Sequence, residues 1–224
     1  MIIAFFKRWL NYFWRSAETA SADTQVPPTV TSAGDPISLE ASVAAEKPYA
    51  TFVMALRQRE SGGNYQIKNP FGYMGAYQFG MARLCDFGLT ARKPGETGGG
   101  NKSFAWVSPF TEAGFLGSEA LQDRLFTLHV LNLVANIKRS VPQALGKTFM
   151  GLELTLSGAV ACCHLLGLGG LKAFISPTLA DDKPDALGTQ ASDYVKLFAG
   201  YHIPESLPLD GGDLKTLLKV PPAV

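Results

Sequence analysis

The segment SEALQDRLFTLHVLNLVANIKR, residues 118–139, limits the folds open to this chain more than any other stretch. At about 100 degrees per residue it carries two apolar stripes. Leu121, Leu125 and Leu128 form one; Phe126, Val130, Leu133 and Ile137 form the other. A surface helix needs a single apolar face, so a helix with two has to be enclosed by neighbours on both sides. The segment therefore predicts the inner helix of a helical bundle. A second stretch, LTLSGAVACCHLLGLGG, is small and apolar nearly all round and closes on glycines suited to a left-handed cap, which predicts another buried helix. No alternation of apolar and polar residues runs long enough to argue for a sheet. The expected class is mainly α.

The rest of the chain divides by composition. Residues 1–16, MIIAFFKRWLNYFWRS, are aromatic and aliphatic, with Lys7, Arg8 and Arg15 as their charges. The unbroken apolar run ends at Phe6, too short to span a bilayer and placed before its basic residues, not after them as in a signal peptide. Two readings stand: an amphipathic helix lying on a membrane surface, anchored by Trp9 and Trp14, or a helix packed on the domain or a partner. Residues 17–47 are rich in Ala, Ser, Thr, Pro and Val without a period and predict a flexible linker. The folded domain is expected over 48–203, followed by a proline-punctuated tail, 204–224. Within the domain, Ser108 and Pro109 predict the start of a helix over PFTEAGFL, SDYVKLFAG predicts the last helix, and TARKPGETGGGNKS predicts a loop.

Composition removes several functions. With 224 residues, 46% hydrophobic, the chain can bury one sizeable core, and a formal charge of +1 supplies no basic field for nucleic acid. Nucleotide binding is also not expected. Gly95 to Ser103 nearly spells a phosphate-binding loop, but Asn101 occupies the lysine position and no buried strand precedes it. Cys85, Cys162 and Cys163 make no disulfide framework, and His129, His164 and His202 lack the spacing of a zinc site. No metal or cofactor is expected.

The chemistry concentrates in RESGGNYQIKNPFGYMGAYQFG, residues 59–80. Tyr49, Val53, Leu56 and Glu60 fall on one side of a helix, with Thr51 and Gln58 opposite, so the glutamate continues an apolar stripe. Ser61, Gly62 and Gly63 end that helix and place Glu60 in its last turn. Burial and the carbonyl end of the helix both disfavour a charged carboxylate, which predicts a raised pKa and a proton donor. The alternative is a glutamate bonded to backbone or paired with Arg57 or Arg59. Asn64, Tyr65, Tyr73, Tyr77 and Gln78 add flat faces and hydrogen-bonding groups, with Gly72, Gly75 and Gly80 admitting a ligand close to the backbone. Such a surface suits carbohydrate, and an acid beside it suggests cleavage of a glycosidic bond.

RESGGNY followed by GYMGAYQFG resembles the lysozyme-like superfamily and, within it, the soluble lytic transglycosylases of bacterial peptidoglycan. The resemblance covers about 48–175 and implies a lysozyme-like helical domain. It assigns the catalytic acid to Glu60, beside Ser61, and a cleft-lining motif to Gly75, Ala76, Tyr77 and Gln78, with Tyr73 nearby. The family's third motif, Ala-Tyr-Asn, is matched by position in Cys162, Cys163 and His164, before Gly167. His164 is accordingly either a cleft residue or a satisfied core histidine.

The resemblance further implies cleavage between N-acetylmuramic acid and N-acetylglucosamine by one carboxyl group, acid first and base second. A hydrolytic muramidase of the same fold would want a second carboxylate, for which Asp86, Glu96 and Glu112 are candidates. A third reading is a wall-binding component of an envelope machine without turnover. The implied partner is the peptidoglycan glycan strand and the implied location the cell envelope, on the periplasmic face or secreted.

Overall fold

The computed structural model of the chain describes residues 46–176 and 188–204, together with Asp182 and Pro184. The segment expected at 1–16, the linker expected at 17–47 except for its last two residues, and the tail expected at 204–224 except for its first residue lie outside the described residues. The chain divides at Glu46, and the unit from Lys47 onward carries all the elements below.

That unit is mainly helical. Its helices are α1 (Tyr49–Ser61), α2 (Met81–Asp86), α3 (Glu112–Leu116), α4 (Glu119–Ser140), α5 (Leu156–Phe174) and α6 (Ala191–Leu197). Two short antiparallel ribbons interrupt them: β1 (Thr90–Arg92) with β2 (Phe104–Trp106), and β3 (Thr148–Phe149) with β4 (Leu152–Glu153). The first ribbon pairs Thr90 with Trp106 and Arg92 with Phe104, and the second pairs Thr148 with Glu153. The stretch expected as a loop over 90–103 is therefore a ribbon at its start, extended by the Lys93 N–H donating to Ser103 O at 2.9 Å. Strands three residues long are too short to show an alternation in sequence.

Helix α4 lies where its two stripes require. Leu121, Leu125, Phe126, Val130, Leu133 and Ile137 are all buried, with Leu128 half-buried. Helix α5 packs on both α4 and α6. A methyl at Gly158 would lie 2.8 Å from the Val195 carbonyl oxygen, so glycine is what lets the α5 and α6 backbones touch. The expected glycine stop is only an interruption: Gly167 takes φ 70° and ψ 177°, and helical turns resume to Phe174. Buried Leu171 and Phe174 draw the chain back into helix beyond it. Helix α3 begins at Glu112 and not at Pro109, because the Thr111 hydroxyl accepts from the Gly114 N–H at 3.0 Å and so caps it. Ser118 and Thr155 cap α4 and α5 in the same way. Each such cap contributes about 1 kcal/mol.

The two ends of the unit hold each other. Lys47 N–H donates to Gly200 O at 2.9 Å and His202 N–H donates to Lys47 O at 2.7 Å. Phe52 of α1 meets Phe198 and Tyr201 edge-on at 5.7 and 5.8 Å. This clasp seats α1 against the end of α6 and brings residues from opposite ends of the domain together.

Candidate active site

Helix α1 leaves its last turn through Gly62, at φ 66°, whose N–H donates to Gln58 O at 3.0 Å. Glu60 stands in that last turn, as expected, with a side chain only 13% exposed. Tyr194 of α6 donates its hydroxyl to Glu60 Oε1 at 2.6 Å. His164 of α5 places Nε2 3.8 Å from the same oxygen. The Tyr194 hydroxyl is the donor that meets this oxygen, and the carboxyl group lies at the carbonyl end of the helix. Burial and the neighbouring carboxylate hold the Tyr194 phenol well above its ordinary range, against the smaller opposing effect of Arg59, so it remains a donor. The Arg59 guanidinium lies 5.7 Å over the Tyr194 ring.

Behind His164 the contacts continue through the protein. His164 Nδ1 is 3.0 Å from His129 Nε2, and Arg83 Nε donates to His129 Nδ1 at 2.8 Å. Arg83 also donates to Asp86 Oδ2 at 2.9 Å and to Asn132 Oδ1 at 3.2 Å. Burial is the main cause that lowers both imidazoles: His129 falls well below its usual value and His164 to about 4. Both rings are therefore neutral near pH 7. The histidines, unpaired in sequence spacing, include two that meet in space; among the described residues no group of three His, Cys, Asp or Glu is arranged to hold a metal ion.

Residues 74–79 of the GYMGAYQFG stretch form a mostly buried turn packed against the end of α1 and α4. Met74 and Phe79 exchange backbone hydrogen bonds at 3.0 and 2.8 Å around a tight turn. Gly75, at φ 75°, is buried, and a methyl there would sit 2.1 Å from Gln122 Oε1. Gln122 is fully buried and satisfied, accepting from the Ala76 N–H at 2.8 Å and donating to Tyr65 O and Phe115 O at 3.0 and 2.9 Å. Ser61, also buried, donates to Ala76 O at 2.9 Å and so ties the end of α1 to this turn.

Three expected site residues are thus held by contacts within the protein. Gly75 and Ser61 serve close packing. Tyr77 is 0% exposed, its ring stacked on Phe126 at 4.1 Å and its hydroxyl donating to Asp123 Oδ1 at 2.6 Å, so no face is left for a sugar. Gln78 is half-buried, at φ 49°, and donates to Gly75 O at 3.0 Å. Tyr73 is exposed, as is Phe71 two residues before it. Tyr65 donates to Asp123 at 2.7 Å, and the Asn64 side chain accepts from Gln66 N–H at 2.8 Å, so both shape the turn.

Cys162 and Cys163 are buried, and burial pushes the Cys162 thiol up to about 12, which leaves it inert. The hydroxyl that meets Glu60 comes from Tyr194, across a separation of 134 residues. The three candidate second carboxylates each have a partner of their own. Asp86 holds Arg83, Glu96 accepts from Ser103 at 2.9 Å, and Glu112 pairs with Lys68 at 2.8 Å. Sequence reasoning missed Tyr194, His129, Arg83 and Gln122, which come from three helices far apart in the chain; a polar residue inside an apolar stripe, as at His129 and Gln122 of α4, was the available signal.

No protein-family model, curated protein or solved structure matches the chain.

Proposed function

We propose that this chain is a peptidoglycan-cleaving lytic transglycosylase with a lysozyme-like helical domain, and that Glu60 is its catalytic acid and base. The observation that carries this reading is the Glu60 carboxyl group, 13% exposed at the end of α1 and bonded by the Tyr194 hydroxyl at 2.6 Å. An acid so placed keeps one edge toward solvent while its position is fixed from inside.

In the proposed reaction, protonated Glu60 gives its proton to the oxygen bridging C1 of N-acetylmuramic acid and C4 of N-acetylglucosamine. The C1–O bond breaks through an oxocarbenium-like state, and the leaving sugar departs with a free hydroxyl. The C6 hydroxyl of the muramic residue then forms a bond to C1 and yields its proton to the Glu60 carboxylate. The acid is regenerated and no water is consumed. Hydrolysis would call on a second carboxylate, and the commitment of Asp86, Glu96 and Glu112 to other partners favours the one-carboxylate route. Exposed Tyr73 and Phe71 supply flat faces for sugar rings.

Incubation of purified sacculi with the protein tests this reading. Soluble disaccharide-peptide fragments are the expected product. Co-sedimentation with sacculi and no fragment release would replace the enzyme with a wall-binding component.

A further inference from the structure

An arginine guanidinium never gives up its proton in water, so its contacts settle donor and acceptor roles that a histidine pair leaves open. Arg83 Nε can only donate to His129 Nδ1, at 2.8 Å. A neutral His129 must then carry its proton on Nε2, which meets His164 Nδ1 at 3.0 Å. His164 Nδ1 is thereby an acceptor, and its own proton lies on Nε2, 3.8 Å from Glu60 Oε1. Four residues on α1, α2, α4 and α5 are ordered by a single obligatory donor.

We propose that Arg83 is a positioning residue for the proposed glycosidic cleavage, holding His129 and His164 in their Nε2–H tautomers so that an N–H, and not a lone pair, faces Glu60. The consequence is chemical. With the opposite tautomer, the bare Nε2 of His164 would accept the Glu60 proton and keep it from the substrate, then face the carboxylate lone pair to lone pair once that proton had left. With the Nε2–H tautomer, His164 presents the positive end of an N–H bond 3.8 Å from Oε1, beyond direct hydrogen-bond reach, and adds electrostatically to the Tyr194 hydroxyl in stabilising the anion left after proton donation.

The surroundings fit this assignment. The depressed pKa values of both rings keep each imidazole neutral near pH 7, so each holds one N–H. The Tyr77 backbone carbonyl accepts from the His164 ring, and Phe79 and Phe126 pack edge-on against it at 6.5 and 5.8 Å, restricting its rotation. Arg83 is itself fixed, by Asp86 at 2.9 Å, by Asn132 at 3.2 Å and by the Phe87 ring 4.7 Å below it. Asp86, a candidate second carboxylate by sequence, finds a role here in aiming Arg83.

The inference rests on the proposed function for its catalytic meaning but not for its structural content, and the test separates the two. Long-range proton–nitrogen correlation spectra of the full chain, labelled with nitrogen-15 histidine at neutral pH, report the tautomer of each ring. Both buried rings are expected as Nε2–H. Arg83→Met, which removes the donor and keeps the length, is expected to populate Nδ1–H at His129 and His164. It should also lower kcat on soluble glycan strands about tenfold with KM unchanged, the value of one hydrogen bond to a charged group. Nδ1–H at either ring of the parent protein would overturn the inference, as would an unchanged tautomer pattern in Arg83→Met. Should that variant fail to fold, the parent spectrum decides alone. Expected tautomers without any glycan cleavage would sink the proposed function and leave the relay standing; cleavage with reversed tautomers would do the opposite.

Discussion

Two carboxylates in this domain are each bonded by tyrosine, and they do different things. Asp123, exposed, accepts from Tyr65 and Tyr77 on one oxygen at 2.7 and 2.6 Å, while the Arg57 guanidinium donates to the Tyr65 hydroxyl. Glu60 accepts from Tyr194 at 2.6 Å but is 13% exposed, and its second neighbour is a neutral imidazole. Asp123 lies open to water, and its bond from Tyr77 makes that cluster a rivet between the turn at 74–79 and α4. Glu60 lacks most of that hydration. The same pair of side chains is structural at the surface and suited to proton transfer in the interior.

The contrast breaks most visibly at the carboxylates' own functions. Glu60→Gln should lower glycan cleavage about a thousandfold with the fold intact by circular dichroism, since a positioned acid is worth about 10²–10⁴ in rate. A variant as active as the parent would remove Glu60 from the chemistry. Acidification probes the imidazole side. His164 is held near 4 against an ordinary 6.5, and burial depresses His129 as well, so below pH 6.5 the unfolded chain binds protons that the folded chain refuses. Stability present above pH 6.5 should therefore be lost as pH falls toward 4, by on the order of 3 kcal/mol from His164 alone. Denaturant titrations at stepped pH measure it, and a flat profile across that window would contradict the buried neutral pair.

The two tyrosines sharpen the comparison with smaller effects. Tyr194→Phe removes a donor to Glu60 and should reduce turnover about tenfold. Tyr77→Phe removes the matching donor to Asp123 and should cost about 1 kcal/mol in a denaturant titration while leaving turnover unchanged. If Tyr77→Phe impaired turnover and Tyr194→Phe did not, the roles of the two clusters would be reversed.

The sequence displayed one of these clusters' centres and little of either's surroundings. Glu60 was legible because three things coincided locally: its place on an apolar stripe, the glycine cap behind it and the serine beside it. Helix α4 was legible for the same reason, its enclosure being written in its own periodicity. Tyr77 misled because a tyrosine among glycines looks like a ligand surface, whereas the Phe126 ring that covers it is supplied by another helix. Tyr194 was unreadable as a site residue, since its helix is brought to Glu60 by long-range contacts: its packing on α5, Phe52 against Phe198, and the clasp of Lys47 on Gly200 and His202. The ribbon over 90–106 escaped notice because three-residue strands carry no period.

The central claim is that one carboxyl group performs both proton transfers without water. Digestion of purified peptidoglycan in water enriched in oxygen-18, followed by mass spectrometry of the released fragments, tests it most directly. Anhydromuramic ends, lighter than reducing ends by one water and free of the heavy isotope, are the expected result. Reducing ends that carry the label would show that water attacks C1 and would contradict the claim.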